Sequence, residues 1–223
     1  MTQFRLIIPL LFASAFFLSA TPPPDVKILM LAADFSEEDM DTLQMNYGQN
    51  KVFIDQYKKV SLVALSYYPE LKETDIEFVH QKLNTTLAAR PKMGSVFKKA
   101  GKRKYQIFIN NHESCEIPLD AAPFNAQVGV IGHELAHIVD YEKRNTNKIF
   151  GAGLSYATRQ SKASFEKQTD RITIEHGLGW QLHHWADFVL KYSKANDKYL
   201  AFKERIYLTP KQILTYMEGL KMY

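Results

Sequence analysis

Residues 124–141 constrain the fold of this chain more than any other segment, because an apolar helical pattern there contains two histidines and a glutamate. The neighbouring positions are uncharged and mostly apolar: Val130, Ile131, Leu135, Ala136, Ile138 and Val139. A helix that is apolar nearly all round is predicted to be buried. Isolated buried polar side chains cost roughly a few kcal/mol each, so His133, Glu134 and His137 need a partner.

The spacing of these three residues is the one that a metal site on a helix needs. Residues four apart lie about 40° apart around the axis, so His133 and His137 project from one face toward one ion. Glu134 is rotated about 100° from His133, where it can reach a water molecule on the metal without being a ligand. The pattern predicts one catalytic zinc ion, Zn²⁺, bound by the histidines, with Glu134 as general base. The alternative is a core helix whose histidines bind ordinary hydrogen-bond acceptors.

Two glycines lie in the same predicted helix, although each costs about 1 kcal/mol relative to alanine at such a position. Gly129 and Gly132 are therefore predicted to allow another backbone to approach the site closely.

A catalytic zinc ion usually has three protein ligands and a fourth position for water. One known continuation of the motif has glycine at position 140 and histidine at 143, but this chain has Asp140 and Lys143, which excludes that class. Downstream, Glu166 and Asp170 lie four apart on one predicted helical face. This spacing suggests that Glu166 binds zinc while Asp170 accepts a hydrogen bond from a ligand histidine. The alternative third ligands are Asp170, Glu175 and His176.

These motifs resemble those of the gluzincin metallopeptidases, the group that contains thermolysin and the membrane CAAX endopeptidases. In that group, H-E-x-x-H is completed by a glutamate in an E-x-x-x-D pattern on a later helix. The resemblance spans residues 105–177, and the matching residues are His133, Glu134, His137, Glu166 and Asp170. It implies that His133, His137 and Glu166 bind zinc. It also implies that Glu134 is base and proton shuttle and that Asp170 supports a ligand histidine.

The resemblance further implies an edge strand ahead of the motif helix that binds substrate in extended form. The strand predicted at residues 105–110 would fill this place by adding a peptide strand to the sheet. The chain departs from thermolysin-like enzymes in having Phe165 where they have asparagine, and from CAAX endopeptidases in lacking their several membrane spans. No specific gluzincin family is therefore assigned.

The remaining pattern predicts an α+β fold in one domain, residues 26–223. A small mixed sheet with an edge strand would pack on the buried zinc-binding helix, followed by a mainly helical C-terminal half. Strands are predicted at residues 76–79, 85–88 and 105–110. Helices are predicted from Ser36 onward, at 52–67, 95–100, 124–141, 164–176 and 178–193, and after Thr209 and Pro210.

Residues 1–20 have the three parts of an export signal: Arg5 in a short polar start, an apolar run over residues 6–18, and small residues at 19 and 20. Because the run is shorter than the ~20 residues of a bilayer-spanning helix, a cleaved signal peptide and a secreted or periplasmic protein are predicted. The alternative is an uncleaved N-terminal membrane anchor. Residues 21–25, with three consecutive prolines, predict an extended spacer.

The charge balance gives no indication of nucleic-acid binding, because the formal net charge is only +4. The densest basic stretch predicts a solvated turn before a strand. It comprises Lys98, Lys99, Lys102, Arg103 and Lys104. Cys115 is the single cysteine, so an intrachain disulfide is excluded. We interpret it as a small semi-buried residue, and the alternatives are intermolecular pairing and a metal contact.

The predicted reaction is hydrolysis of a peptide bond in a peptide or protein substrate, with metal-activated water and Glu134 as base. The developing oxyanion also needs a donor. The candidates, among which the sequence does not choose, are Tyr156, His176, His183, His184 and Tyr207. The alternatives are a non-proteolytic zinc-binding interaction ectodomain and an interaction domain whose motif is accidental. Glu134 distinguishes the peptidase from the zinc-binding ectodomain, because a structural zinc ion has four protein ligands and needs no general base.

Overall fold

The computed structural model of the protein describes residues 26–145 and 158–222. These residues form an α+β structure with a small mixed sheet and a mainly helical C-terminal half, as predicted. The export signal predicted at residues 1–20 and the spacer at 21–25 lie outside the described residues. None of the described helices is long and apolar enough to cross a membrane.

The sheet has four strands in the order β1-β2-β4-β3. They are β1 Lys51–Val52, β2 Asp75–His80, β3 Leu87–Pro91 and β4 Lys104–Ile109. β2 pairs in parallel with both β1 and β4, whereas β3 pairs antiparallel with β4. Alternate residues of β4 (Tyr105, Ile107 and Ile109) are buried, which is the period of two that predicted this strand.

The prediction that residues 105–110 form the edge strand is wrong. β4 is paired on both sides, since Tyr105 lies opposite Ile76 of β2 and Ile107 lies opposite Ala89 of β3. The edge strands are β1 and β3, and of these β3 contacts the motif helix. Alternating burial identifies a strand, but its place in the sheet depends on which other strands pair with it.

The helices of the described residues follow the predicted order with shifted ends. They are α1 Glu37–Tyr47, α2 Lys58–Leu65, α3 Phe124–Lys143, α4 Arg159–Thr173, α5 Gly179–Asp187, α6 Asp197–Ile206 and α7 Pro210–Leu220. Single π-helical turns, Ile174–Leu178 and Phe188–Tyr192, continue α4 and α5. The starts predicted at Ser36 and Thr209 are confirmed, because each side chain accepts a hydrogen bond from the backbone N–H three residues on.

One helix prediction is wrong, and one helix was not predicted. Residues 95–100 form turns rather than a helix, between Gly94 and Gly101, whose φ angles of 83° and 75° lie in the left-handed region that favours glycine. α6 was not predicted from the sequence, although Asn196 caps it by accepting a 3.0 Å hydrogen bond from the backbone N–H of Tyr199. Caps and turns mark local boundaries, whereas packing against α4 supports α6.

α3 lies at the centre of the fold and contacts α2, α4, α5 and the edge strand β3. The close approach predicted at Gly129 is confirmed, because a Cβ there would lie 2.2 Å from the carbonyl oxygen of Gln181 in α5. At Gly132 the neighbour is a side chain instead, since a Cβ would lie 2.5 Å from Cδ1 of Leu178. The Tyr68 hydroxyl also donates a 2.6 Å hydrogen bond to the carbonyl of Gly132. At both glycines, atoms of another segment thus lie too close to α3 to leave room for a side chain.

The basic stretch at residues 98–104 is only partly the solvated turn that was predicted. Arg103 is buried, and one of its guanidinium nitrogens donates 2.9 Å hydrogen bonds to the carbonyls of Tyr141 and Arg144. It therefore satisfies backbone acceptors at the C-terminal end of α3. Cys115 is half-buried, as predicted, and burial raises the pKa of its thiol.

Candidate metal centre

The two histidines of the motif project from one face of α3 and are almost fully buried, with 4% of each residue exposed. Their rings lie edge to face, with centroids 4.8 Å apart. The Nε2 atoms of His133 and His137 lie 3.1 and 3.3 Å from the same oxygen, Oε2 of Glu166 on α4. These three side chains form a buried group whose ligand atoms lie within 4.8 Å of one another, and such a group could hold a metal ion.

The other ring nitrogen of each histidine has a partner that fixes its role. His133 Nδ1 lies 2.8 Å from Oδ1 of Asp170, and His137 Nδ1 lies 3.2 Å from the hydroxyl oxygen of Thr169. That hydroxyl donates its own proton to the carbonyl of Phe165, so its oxygen is left to accept. Both Nδ1 atoms therefore act as donors, which directs the two Nε2 atoms toward the shared point.

Asp170 lies in the supporting position predicted for it. Its Oδ1 accepts from His133, and its Oδ2 accepts a 2.7 Å hydrogen bond from the backbone N–H of Leu208. Both carboxylate oxygens are thus engaged away from the Nε2 atoms.

The other two alternative ligands are also engaged elsewhere. Glu175 is exposed and accepts a 2.6 Å hydrogen bond from the Tyr216 hydroxyl. His176 uses both ring nitrogens, one toward the carbonyl of Ile172 and one toward Glu70. Of the candidate third ligands, the structure brings only Glu166 to the two Nε2 atoms.

The electrostatics of this group favour a cation. Burial alone would lower the pKa of His133, but the hydrogen bonds and negative charges of Asp170 and Glu166 outweigh burial and raise the pKa to about 10. Burial likewise opposes ionisation of Glu166, yet the two histidines hold its pKa well below the usual range. Two buried carboxylates around two imidazoles bind a proton tightly, and the same negative potential attracts a divalent ion.

Glu134 lies next to this group and has a buried carboxylate oxygen without a hydrogen-bond partner among the described residues. The residue is 6% exposed, and the oxygen is Oε2. A buried carboxylate oxygen without a partner costs on the order of 1–3 kcal/mol or more. Such an oxygen in a native site suggests a partner that is not part of the protein chain.

Two neighbouring spaces border the group. The groove, about 610 Å³, follows β3 past Glu134, His137 and Glu166. The cavity, about 40 Å³, lies beside Glu134 and His133 and is bounded mainly by apolar side chains of α5 and its π-helical turn. The two spaces adjoin beside Glu134, because both are bordered by Thr85, Leu87, Glu134 and Tyr207.

Of the candidate oxyanion donors, Tyr207 is the one beside the histidines, with its ring centroid 5.6 Å from that of His133. His176 is engaged with Glu70, and His184 pairs with the amide of Asn125 at the start of α3. His183 lies on α5 beside Trp180. Tyr156 lies outside the described residues.

Two partners in the site were missed by the sequence analysis. Thr169 lies three residues after Glu166, so helical spacing could have placed it near the ligand pair. The backbone N–H of Leu208 carries no side-chain signal at all, and only the path of the chain between α6 and α7 brings it to Asp170.

No protein-family model, curated protein or solved structure matches the chain. The likeness to gluzincins therefore stays a prediction that rests on the five motif residues.

Proposed function

We propose that this protein is a zinc-dependent peptidase of the gluzincin type. The observation that carries the proposal is the convergence of His133 Nε2 and His137 Nε2 on one oxygen of Glu166, 3.1 and 3.3 Å away. The unpartnered oxygen of Glu134 borders the same groove.

The residues fit a catalytic zinc ion. Two imidazole nitrogens and one carboxylate oxygen are a common set for catalytic zinc, which keeps one position open. The Nδ1 partners Asp170 and Thr169 are the kind of outer support that ligand histidines have in zinc enzymes.

When zinc is bound in such a site, it lowers the pKa of water toward ~7 and polarises the scissile carbonyl. Asp170 and Thr169 hold the ligand histidines in the required tautomer. Glu134 accepts a proton from the attacking water and passes it to the leaving amine. Tyr207, beside His133, is the residue we assign to donate a hydrogen bond to the developing oxyanion.

The groove supports a peptide as substrate. β3 forms its wall, and among the described strands nothing pairs with the outer side of β3. An extended peptide can therefore add to this edge through backbone hydrogen bonds, with its scissile bond beside Glu134. In this proposal β3, and not residues 105–110, binds the substrate in extended form.

The test is a cleavage assay on a mixed peptide library with zinc-loaded protein, with Glu134→Gln and with chelator-treated protein. We expect the zinc-loaded protein to cleave peptides and the chelator-treated protein not to. The cleavage rate of Glu134→Gln should be about 10²- to 10⁴-fold lower, as for loss of a general acid–base group. Glu175→Gln, an exposed change of the same kind, is the matched control and should retain activity.

Zinc content separates this proposal from a non-proteolytic zinc-binding ectodomain. Glu134→Gln should keep one equivalent of zinc, because Glu134 is not a ligand. Cleavage that neither Glu134→Gln nor chelation reduces would refute the proposal. Stoichiometric zinc without any cleavage would favour the ectodomain.

A further inference from the structure

A buried lysine borders the cavity beside Glu134 and has no acidic partner among the described residues. Lys203, on α6, is 8% exposed, and no carboxylate of the described residues forms an ion pair with it. Its ammonium group has one long contact, 3.4 Å, to the Thr85 hydroxyl. It otherwise lies 4.6 and 5.3 Å from the ring centroids of Tyr207 and Tyr199. A buried charge without a counter-ion is costly, so this position favours an anionic ligand.

Lys203 lies close to the candidate metal centre. It borders the cavity together with His133 and Glu134. The ring of Tyr207 contacts both the ammonium group and the ring of His133. Glu204 also borders the cavity but is exposed to solvent. The buried carboxylates that border it, Glu134 and Asp170, belong to the metal centre, and Asp170 is engaged there with His133 and the backbone of Leu208.

The shape of the space indicates which part of a peptide reaches this lysine. The groove along β3 has about 610 Å³, whereas the cavity beyond Glu134 has about 40 Å³. A volume of that size holds a few water molecules at most, so a long peptide cannot continue through it. A chain that ends there can place its terminal group against Lys203.

We infer that Lys203 binds the C-terminal carboxylate of the substrate, so that the protein acts as a carboxypeptidase that releases the last residue. This inference rests on the proposed function. In the reaction, water adds across the scissile C–N bond: its hydroxyl goes to the acyl carbon, and its proton goes through Glu134 to the leaving amine. The leaving fragment carries the carboxylate that Lys203 holds.

The first experiment compares zinc-loaded protein on matched peptides that differ only in a free or an amidated C-terminus. We expect kcat/KM to be roughly 10- to 100-fold higher for the free acid, the factor for one hydrogen bond to a charged group. Acetylation of the N-terminus should change little. Mass spectrometry should show loss of the C-terminal residue. Internal cleavage at equal rates for acid and amide would overturn the inference and leave the proposed function standing.

The second experiment tests the lysine itself. Lys203→Met keeps a long side chain without the charge and should abolish the preference for the acid while leaving zinc content unchanged. Lys198→Met is the matched control, because Lys198 is exposed on the same helix. Equal loss of activity on acid and amide in Lys203→Met would mean that Lys203 only supports the fold, which would overturn the inference.

A binding measurement separates failure of this inference from failure of the proposed function. Titration calorimetry of zinc-loaded Glu134→Gln with the acid and amide peptides needs no turnover. If Glu134→Gln binds the acid peptide more tightly than the amide, and the double variant with Lys203→Met binds both equally, carboxylate recognition by Lys203 is supported, even if no peptide is cleaved. Equal binding of both peptides overturns it.

Discussion

At the scale of single residues, other side chains fix the orientation of the two histidines, so that the pair could bind one metal ion. His133 is held by Asp170 and His137 by Thr169, and both contacts use Nδ1. Each remaining Nε2 then points at Glu166. An imidazole free to rotate or to change tautomer would hold a metal more weakly, because outer partners set ligand geometry and basicity.

The third ligand gives a prediction at this scale. Glu166→Ala should remove stoichiometric zinc, measured by elemental analysis after dialysis. The affinity should fall by more than the ~10- to 100-fold expected for losing an outer partner, because a carboxylate ligand itself is lost. Glu175→Ala, on the exposed side of the following turn, should keep one equivalent. Tight zinc binding by Glu166→Ala would contradict the assignment.

At the scale of elements, the contact between α3 and α5 sets how closely the site is packed. The backbone of α5 at Gln181 lies against α3 where Gly129 has no side chain. The Gln181 side chain also donates hydrogen bonds to the Asn125 side chain and to the carbonyl of Lys27, which ties the start of α3 to the N-terminal segment. Polar contacts and close approach together fix the position of α3, on which the histidines lie.

Gly129 gives a prediction for this contact. Gly129→Ala should lower the free energy of unfolding by roughly 1–3 kcal/mol, as overpacking does, because the new Cβ meets backbone atoms that cannot rotate away. This loss should outweigh the helix-propensity gain of about 1 kcal/mol.

The matched control is Gly219→Ala in α7, where no atom lies within 4 Å of the new Cβ. Here the propensity gain stands alone, and stability should rise by up to about 1 kcal/mol. Urea unfolding of both variants gives the comparison. A stabilised Gly129→Ala would show that α3 and α5 do not approach as closely as described.

At the scale of the whole molecule, the candidate centre joins distant parts of the chain. α3 supplies two candidate ligands and Glu134, and α4 supplies the third candidate ligand. The segment between α6 and α7 supplies the backbone N–H that Asp170 binds. The edge strand β3 forms the wall of the groove. A metal ion bound here would connect the centre of the fold to its C-terminal half.

This connection predicts that metal removal lowers stability. An ion that binds only the folded protein stabilises it by RT ln(1 + [L]/Kd), about 2.7 kcal/mol at a free concentration of 100 Kd. Each kcal/mol corresponds to about 2–4 °C in Tm for a domain of this size. Chelation should therefore lower Tm by several degrees, measured by calorimetry, and added zinc should restore it. The same treatment should leave Tm of Glu166→Ala unchanged.

The sequence by itself determined the elements whose signals are local. The motif helix, its burial, the starts at Ser36 and Thr209 and the close approach at Gly129 follow from helical period, capping and propensity. The pairing of Glu166 with Asp170 was also readable, because residues four apart share one face of a helix. Each of these properties depends on residues within a few positions of one another.

Only the tertiary structure decided the properties that depend on which distant segments meet. It placed β3 rather than β4 at the sheet edge, engaged both oxygens of Asp170, buried Arg103 at the end of α3 and brought Lys203 to the cavity beside His133 and Glu134. Strand pairing and side-chain burial are set by contacts between segments tens of residues apart. Local periodicity carries no record of those contacts, so the motif could be found in the sequence while its surroundings could not.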